Sequence, residues 1–191
     1  MRLAALTAWR LTVAGTALTG VVLAAIQYDV WWTALSQLAS LAVAATYLCL
    51  AVLPHLTGRP EPRCAWLRGA LATLVLLVAL AYLPLRNGNL TDPYSVVEHV
   101  LTPTLVVVDF VLVSSRQVVR WWHPPTWLVP PAAYLAWYVA GDLAVYDALD
   151  PRRTTEFVAS TGLLTLLVLV VGYGLAALTR RRPVATAVTV A

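Results

Sequence analysis

The sequence predicts an all-α integral membrane protein, a bundle of six transmembrane helices with both termini in the cytoplasm. Three observations predict it. The chain of 191 residues is 60% hydrophobic and only 12% charged, which excludes an ordinary soluble domain. Proline, glycine and charge clusters divide it into six apolar runs of about 20 residues, the length that a bilayer core requires. The arginines gather at alternate ends of those runs.

The first span, 9–27, follows MRLAALTAWR; no clear small-residue cleavage site is present, so a helix is expected and not a secretory signal. The second covers 32–53 and the third 66–85. The fourth, 94–114, carries Glu98, His99 and Asp109 within an apolar run. The fifth, 126–145, is interrupted by Pro130 and Pro131, and the sixth covers 157–178. Residues 1–179 are expected to form one domain and 180–191 a short basic tail. Trp9, Trp31, Trp32, Trp66, Trp121, Trp122 and Trp127 fall at span ends, as in an aromatic interface belt.

Orientation follows from charge. Arg2, Arg10, Arg59, Arg63, Arg68, Arg116, Arg120, Arg180, Arg181 and Arg182 lie on the side of the termini; Arg86, Arg152 and Arg153 lie opposite, with Asp29, Asp92, Asp147, Asp150 and Glu156. The positive-inside rule places the first group in the cytoplasm of a multi-pass membrane protein. The formal charge of +4 is spread over span ends and forms no nucleic-acid-binding face. Cys49 and Cys64 suggest neither a disulfide framework nor a zinc site. His55 and His123 are expected in solvated cytoplasmic loops, and no metal ligation is indicated.

The polar residues inside the spans point to chemistry. Thr33, Ser36, Gln37 and Ser40 recur at helical spacing in the second span; Ser95, Glu98, His99, Thr102 and Asp109 share a broad face of the fourth. The fifth offers Tyr134, Tyr138 and Asp142, and the first Thr12, Thr16 and Thr19. Lipid cannot satisfy such groups, so they turn towards one another or a wet cavity. Thr33 lies within a turn of its helix start, and His99 roughly 7–8 Å below the outer surface at about 1.5 Å per residue. Asp142 and Tyr146 reach the same surface from the fifth span. A hydroxyl, an imidazole and a carboxylate can meet there, the parts of an activated nucleophile. Glu98 is a poor orienter of His99, because adjacent helical residues point about 100° apart; Asp142 is the expected one. Thr33 and Ser36 both remain possible nucleophiles, with Ser36, Gln37 and Thr102 as candidate oxyanion donors. Asp109 lies deep, at a level comparable with Arg68, and an ion pair locking the third and fourth helices is expected. Pro103 is expected to kink the fourth.

Residues His99, Pro103 and Asp109, as H-x-x-x-P followed six positions later by Asp, resemble the core of the androgen-induced (FAR-17a-type) six-span membrane family and its bacterial members. WTALSQL at 32–38, LRG at 67–69, PPAAYLAWYVAGD at 130–142 and Tyr146 followed by Asp150-Pro151 extend the resemblance over roughly residues 30–175. Animal members hydrolyse fatty acid esters of hydroxy fatty acids with a threonine nucleophile and a histidine, without a metal. The resemblance therefore implies Thr33 and His99 as catalytic residues, no cofactor, and a lipid ester substrate reached within the bilayer; the orientation of the spans puts the site towards the extracytoplasmic side. Bacterial members usually carry Asn where this chain has Ser95 and Gln37, and an aromatic-proline run where it has VYDALD. Two other functions fit the composition: a lipid or small-molecule binding protein without turnover, and a proton-coupled transporter using Glu98, His99 and Asp109.

Overall fold

The computed structural model of the chain describes residues 3–59, 65–86, 88–113, 119–143 and 145–180. Arg2, Arg63, Cys64, Arg116 and the tail beyond Arg180 lie outside them. The described residues are helical, with short connections and no strand among them: α1 (Leu3–Gln27), α2 (Leu35–Thr57), α3 (Trp66–Arg86), α4 (Pro93–Val113), α5 (His123–Thr126), α6 (Val129–Ala140) and α7 (Thr154–Arg180). Helices α1, α2, α4 and α7 are long and apolar enough to cross a membrane.

Local sequence explains where the helices depart from the expected spans. The second does not start at 32. Trp31–Thr33 form a single 3-10 turn, Ala34 is extended, and α2 begins at Leu35. Thr33 therefore lies beside the helix and not on its polar stripe. The fifth is divided by two proline pairs. Pro124 and Pro125 sit in the first turn of α5, and Pro130 and Pro131 in that of α6, where the missing N–H needs no helical partner. Helix α6 ends after 12 residues at Gly141, followed by Asp142 in the left-handed region at φ 48°. Its length of about 18 Å falls short of a bilayer core of about 30 Å. Pro103 does not break α4. A wide π-turn over Val97–Leu101 precedes it, and the Thr102 N–H reaches the Val97 carbonyl five residues back.

Small residues bring α1 and α2 together: Ala14, Ala17 and Gly20 on one, Ala39, Ala44 and Ala51 on the other, all buried. Helix α3 lies against α2, α4 and α7. Among them Val13, Val43, Tyr47, Val75, Val106, Phe110 and Trp127 form the main apolar core. The hydroxyls of Thr12, Thr19, Thr57 and Thr165 bond carbonyls of their own helices, which satisfies them without a neighbour.

One buried carboxylate ties four helices. Asp109 on α4 pairs with the Arg68 guanidinium of α3; Tyr47 Oη of α2 donates to it at 2.6 Å and Trp9 Nε1 of α1 at 2.9 Å. Arg10 is also fully buried and donates from Nη1 to the Leu50 carbonyl at 2.7 Å, a second tie between α1 and α2. At the same end, Trp127 inserts between α3 and α7. A Cβ on Gly69 would lie 2.1 Å from its ring and one on Gly172 3.2 Å away, so both glycines make its seat. His123 is buried edge-on against the Trp122 ring, not solvated as expected.

Candidate functional site

Opposite that end, a cavity of about 610 Å³ enters the bundle between the α1–α2 connection, α3, the start of α4, α6, the α6–α7 connection and α7. Ligand sites of roughly 300–1,000 Å³ are usual. Its walls are single helical stripes. Leu128, Pro131, Ala132 and Leu135 line it from α6 and the residue before it, and Thr161, Leu164, Thr165 and Val168 from α7, each set at i, i+3, i+4 and i+7. Leu77, Val78, Ala81 and Tyr82 complete the wall from α3. The loop end is polar: Tyr28, Asp29, Thr33, Ser36, Gln37, Tyr94, His99 and Tyr146 border it. The deep end is apolar.

His99 is held in three ways. The π-turn carries it, its Nδ1 lies 3.1 Å from the Ser95 carbonyl, and its ring stacks on Tyr82 with centroids 3.6 Å apart and planes 24° from parallel. A carbonyl oxygen only accepts, so Nδ1 carries the proton and Nε2 is left with its lone pair. No hydrogen bond to Nε2 is formed by the described residues. Tyr82 is fixed in turn: its hydroxyl accepts from the Asn89 N–H at 3.2 Å and donates to the Asn89 carbonyl at 3.3 Å.

Thr33 borders the same cavity. Its hydroxyl donates to the Val30 carbonyl at 3.0 Å, and its own carbonyl accepts from Tyr134 Oη at 2.8 Å. Ser36 and Gln37, buried in the first turn of α2, also line the cavity. Tyr146 positions that turn by accepting the Leu35 N–H on its hydroxyl at 3.1 Å, which satisfies one of the free N–H groups at a helix start. Tyr138 does not line the cavity. It supports Tyr146, donating to its carbonyl and accepting its N–H, both at 3.1 Å.

The remaining predicted residues divide. Asp142 is not the partner of His99. Its carboxylate is 75% exposed and pairs with Arg152 at 2.7 Å, because the left-handed turn after α6 directs it outward; the Ser95 carbonyl takes the orienting position instead. Thr102 is fully buried but outside the cavity wall, so it cannot serve as an oxyanion donor there. Glu98, 2% exposed, accepts from Gln37 Nε2 at 3.0 Å. Gly20 makes room for it, since a Cβ there would lie 2.8 Å from Glu98 Cγ. Glu98 Oε1, Gln37 Oε1, Ser95 Oγ and Thr102 Oγ1 are buried without a hydrogen-bond partner among the described residues. Arg68 and Asp109 belong to the packing lock, away from the cavity.

Sequence reasoning missed Tyr82 and the pair Tyr28–Tyr94, whose hydroxyls lie 2.7 Å apart with rings edge-to-face at 5.4 Å. At span ends these tyrosines look like interface anchors, and nothing local distinguishes the two roles. It also missed the α7 stripe, although its spacing was readable.

The fold and the cavity define a class: an all-helical protein with membrane-type helices and an amphipathic cavity open at its polar end. No protein-family model, curated protein or solved structure matches the chain, so its function rests on the chemistry of that cavity.

Proposed function

We propose that the chain is a six-span membrane protein with cytoplasmic termini that hydrolyses fatty-acyl esters, with Thr33 as nucleophile and His99 as general base. The four long apolar helices supply four crossings; α3 supplies the fifth, and the short α5–α6 unit the sixth. The carrying observation is that His99, anchored through Nδ1, borders the polar end of an apolar cavity that Thr33 also borders. The Thr33 hydroxyl rotates away from Val30, attacks the ester carbonyl, and gives its proton to His99 Nε2. The imidazolium returns that proton to the leaving alcohol. A water then yields a proton to His99 and its oxygen to the acyl-threonine, which releases the fatty acid and restores both groups. The Ser36 hydroxyl, on the cavity wall, serves as oxyanion donor once it turns from the Glu98 carboxylate. The apolar depth holds the acyl chain.

A second reading, a lipid-binding protein without turnover, is favoured by one observation: the Thr33 hydroxyl is bonded to Val30 and not to His99. Turnover of p-nitrophenyl dodecanoate by detergent-purified protein separates them. Hydrolysis that falls at least about a hundredfold in both Thr33→Ala and His99→Ala supports the esterase. A folded wild type that binds the ester without cleaving it supports the binding protein. Loss in Ser36→Ala with Thr33→Ala active moves the nucleophile to Ser36.

A further inference from the structure

The cavity has a floor, and the floor is built. Helices α6 and α7 are antiparallel, joined at the loop end, so Leu135 and Thr161 stand near the mouth and Leu128 and Val168 far below. Each stripe descends about 10 Å over its seven residues. On α3, Leu77 lies below Tyr82 in the same direction, about 7 Å deeper. Val168 is 1% exposed and Leu77 4%, so these two side chains are tightly packed at that level, with Leu128 half-buried beside them. Directly beneath, Trp127 precedes Leu128 and is fully buried, seated by Gly69 and Gly172. Substituting either glycine would displace the ring, so the plug is fixed from both sides.

We propose that this floor, Val168 with Leu77 and Leu128 above the Trp127 plug, is a ruler that sets the length of a single unbranched acyl chain bound tail-down. The inference rests on reading the cavity as a lipid site, but not on turnover. The mouth has hydrogen-bonding groups for a head, whereas below Thr165, whose hydroxyl is spent on the Thr161 carbonyl, the wall offers only aliphatic side chains. No charged side chain among the described residues lines the deep half, which disfavours a charged group at the tail end. A closed floor makes each added methylene strengthen binding about fourfold until the chain touches bottom, and weaken it beyond.

The test is displacement of a fluorescent fatty-acid probe from purified protein by straight-chain alcohols from octanol to hexadecanol. Wild type should show an affinity optimum within the series. Val168→Phe should move that optimum to shorter alcohols, lowering the long-to-short affinity ratio about tenfold. Val168→Ala should move it to longer ones. Val158→Phe, on the exposed face of α7, should leave it in place. An optimum unmoved by both Val168 variants overturns the ruler, even if wild type hydrolyses esters. A moved optimum in a protein with no esterase activity upholds the ruler and removes the hydrolase.

Discussion

At the scale of single residues, placement follows from which partner each polar group finds. His99 found a backbone carbonyl one turn earlier on its own helix, so no acid was needed to orient it. Asp142 found Arg152 and solvent. Neither outcome was legible, because a carbonyl acceptor leaves no mark in a sequence and one left-handed residue redirects a side chain. Glu98 could be read as buried, but its dependence on Gly20 could not. Gly20→Ala should lower stability by about 1–3 kcal/mol, the usual cost of overpacking. Gly15→Ala, where nothing lies within 4 Å, should not. Thermal unfolding of both variants in one detergent measures the difference. Equal midpoints would mean that Glu98 is free to move aside.

At the scale of elements, the Asp109 lock illustrates how far pattern reasoning reaches. Arg68 and Asp109 could be matched because both are charges at comparable depth in apolar runs, where an unpaired one is costly. Their further partners, Tyr47 and Trp9, could not, since both look like ordinary core or interface aromatics. Asp109→Asn and Arg68→Met should each cost about 3–5 kcal/mol, because each strands a buried charge or its donors. The double variant Arg68→Met with Asp109→Leu should recover much of that. Yield of folded protein and midpoint in detergent measure both; a double variant worse than either single would contradict the pairing. The short α6 was half legible: Pro130 and Pro131 flagged an interruption, whereas two proline-started helices with Trp127 between them required the packing to be seen.

At the scale of the whole molecule, the hydropathy pattern carried the all-helical class and the long spans, since a bilayer leaves few options for unpaired backbone. The cavity was not legible, because its walls come from helices far apart in sequence. With six crossings, single cysteines introduced at Asn89 and Asp147 in a Cys49→Ala, Cys64→Ala background should react with a membrane-impermeant maleimide on intact cells, and one introduced at Thr57 should not. Reaction at all three, or at Thr57 alone, would contradict the orientation.

An activated hydroxyl in the cavity reacts with a phosphonylating probe, and the site of the adduct names it. Purified protein is treated with a fluorophosphonate and the adduct is located by peptide mass spectrometry, beside His99→Ala. Wild type should carry one phosphonyl group on Thr33, absent in His99→Ala although that variant keeps its fold. An unmodified wild type, or modification that persists in His99→Ala, would contradict it.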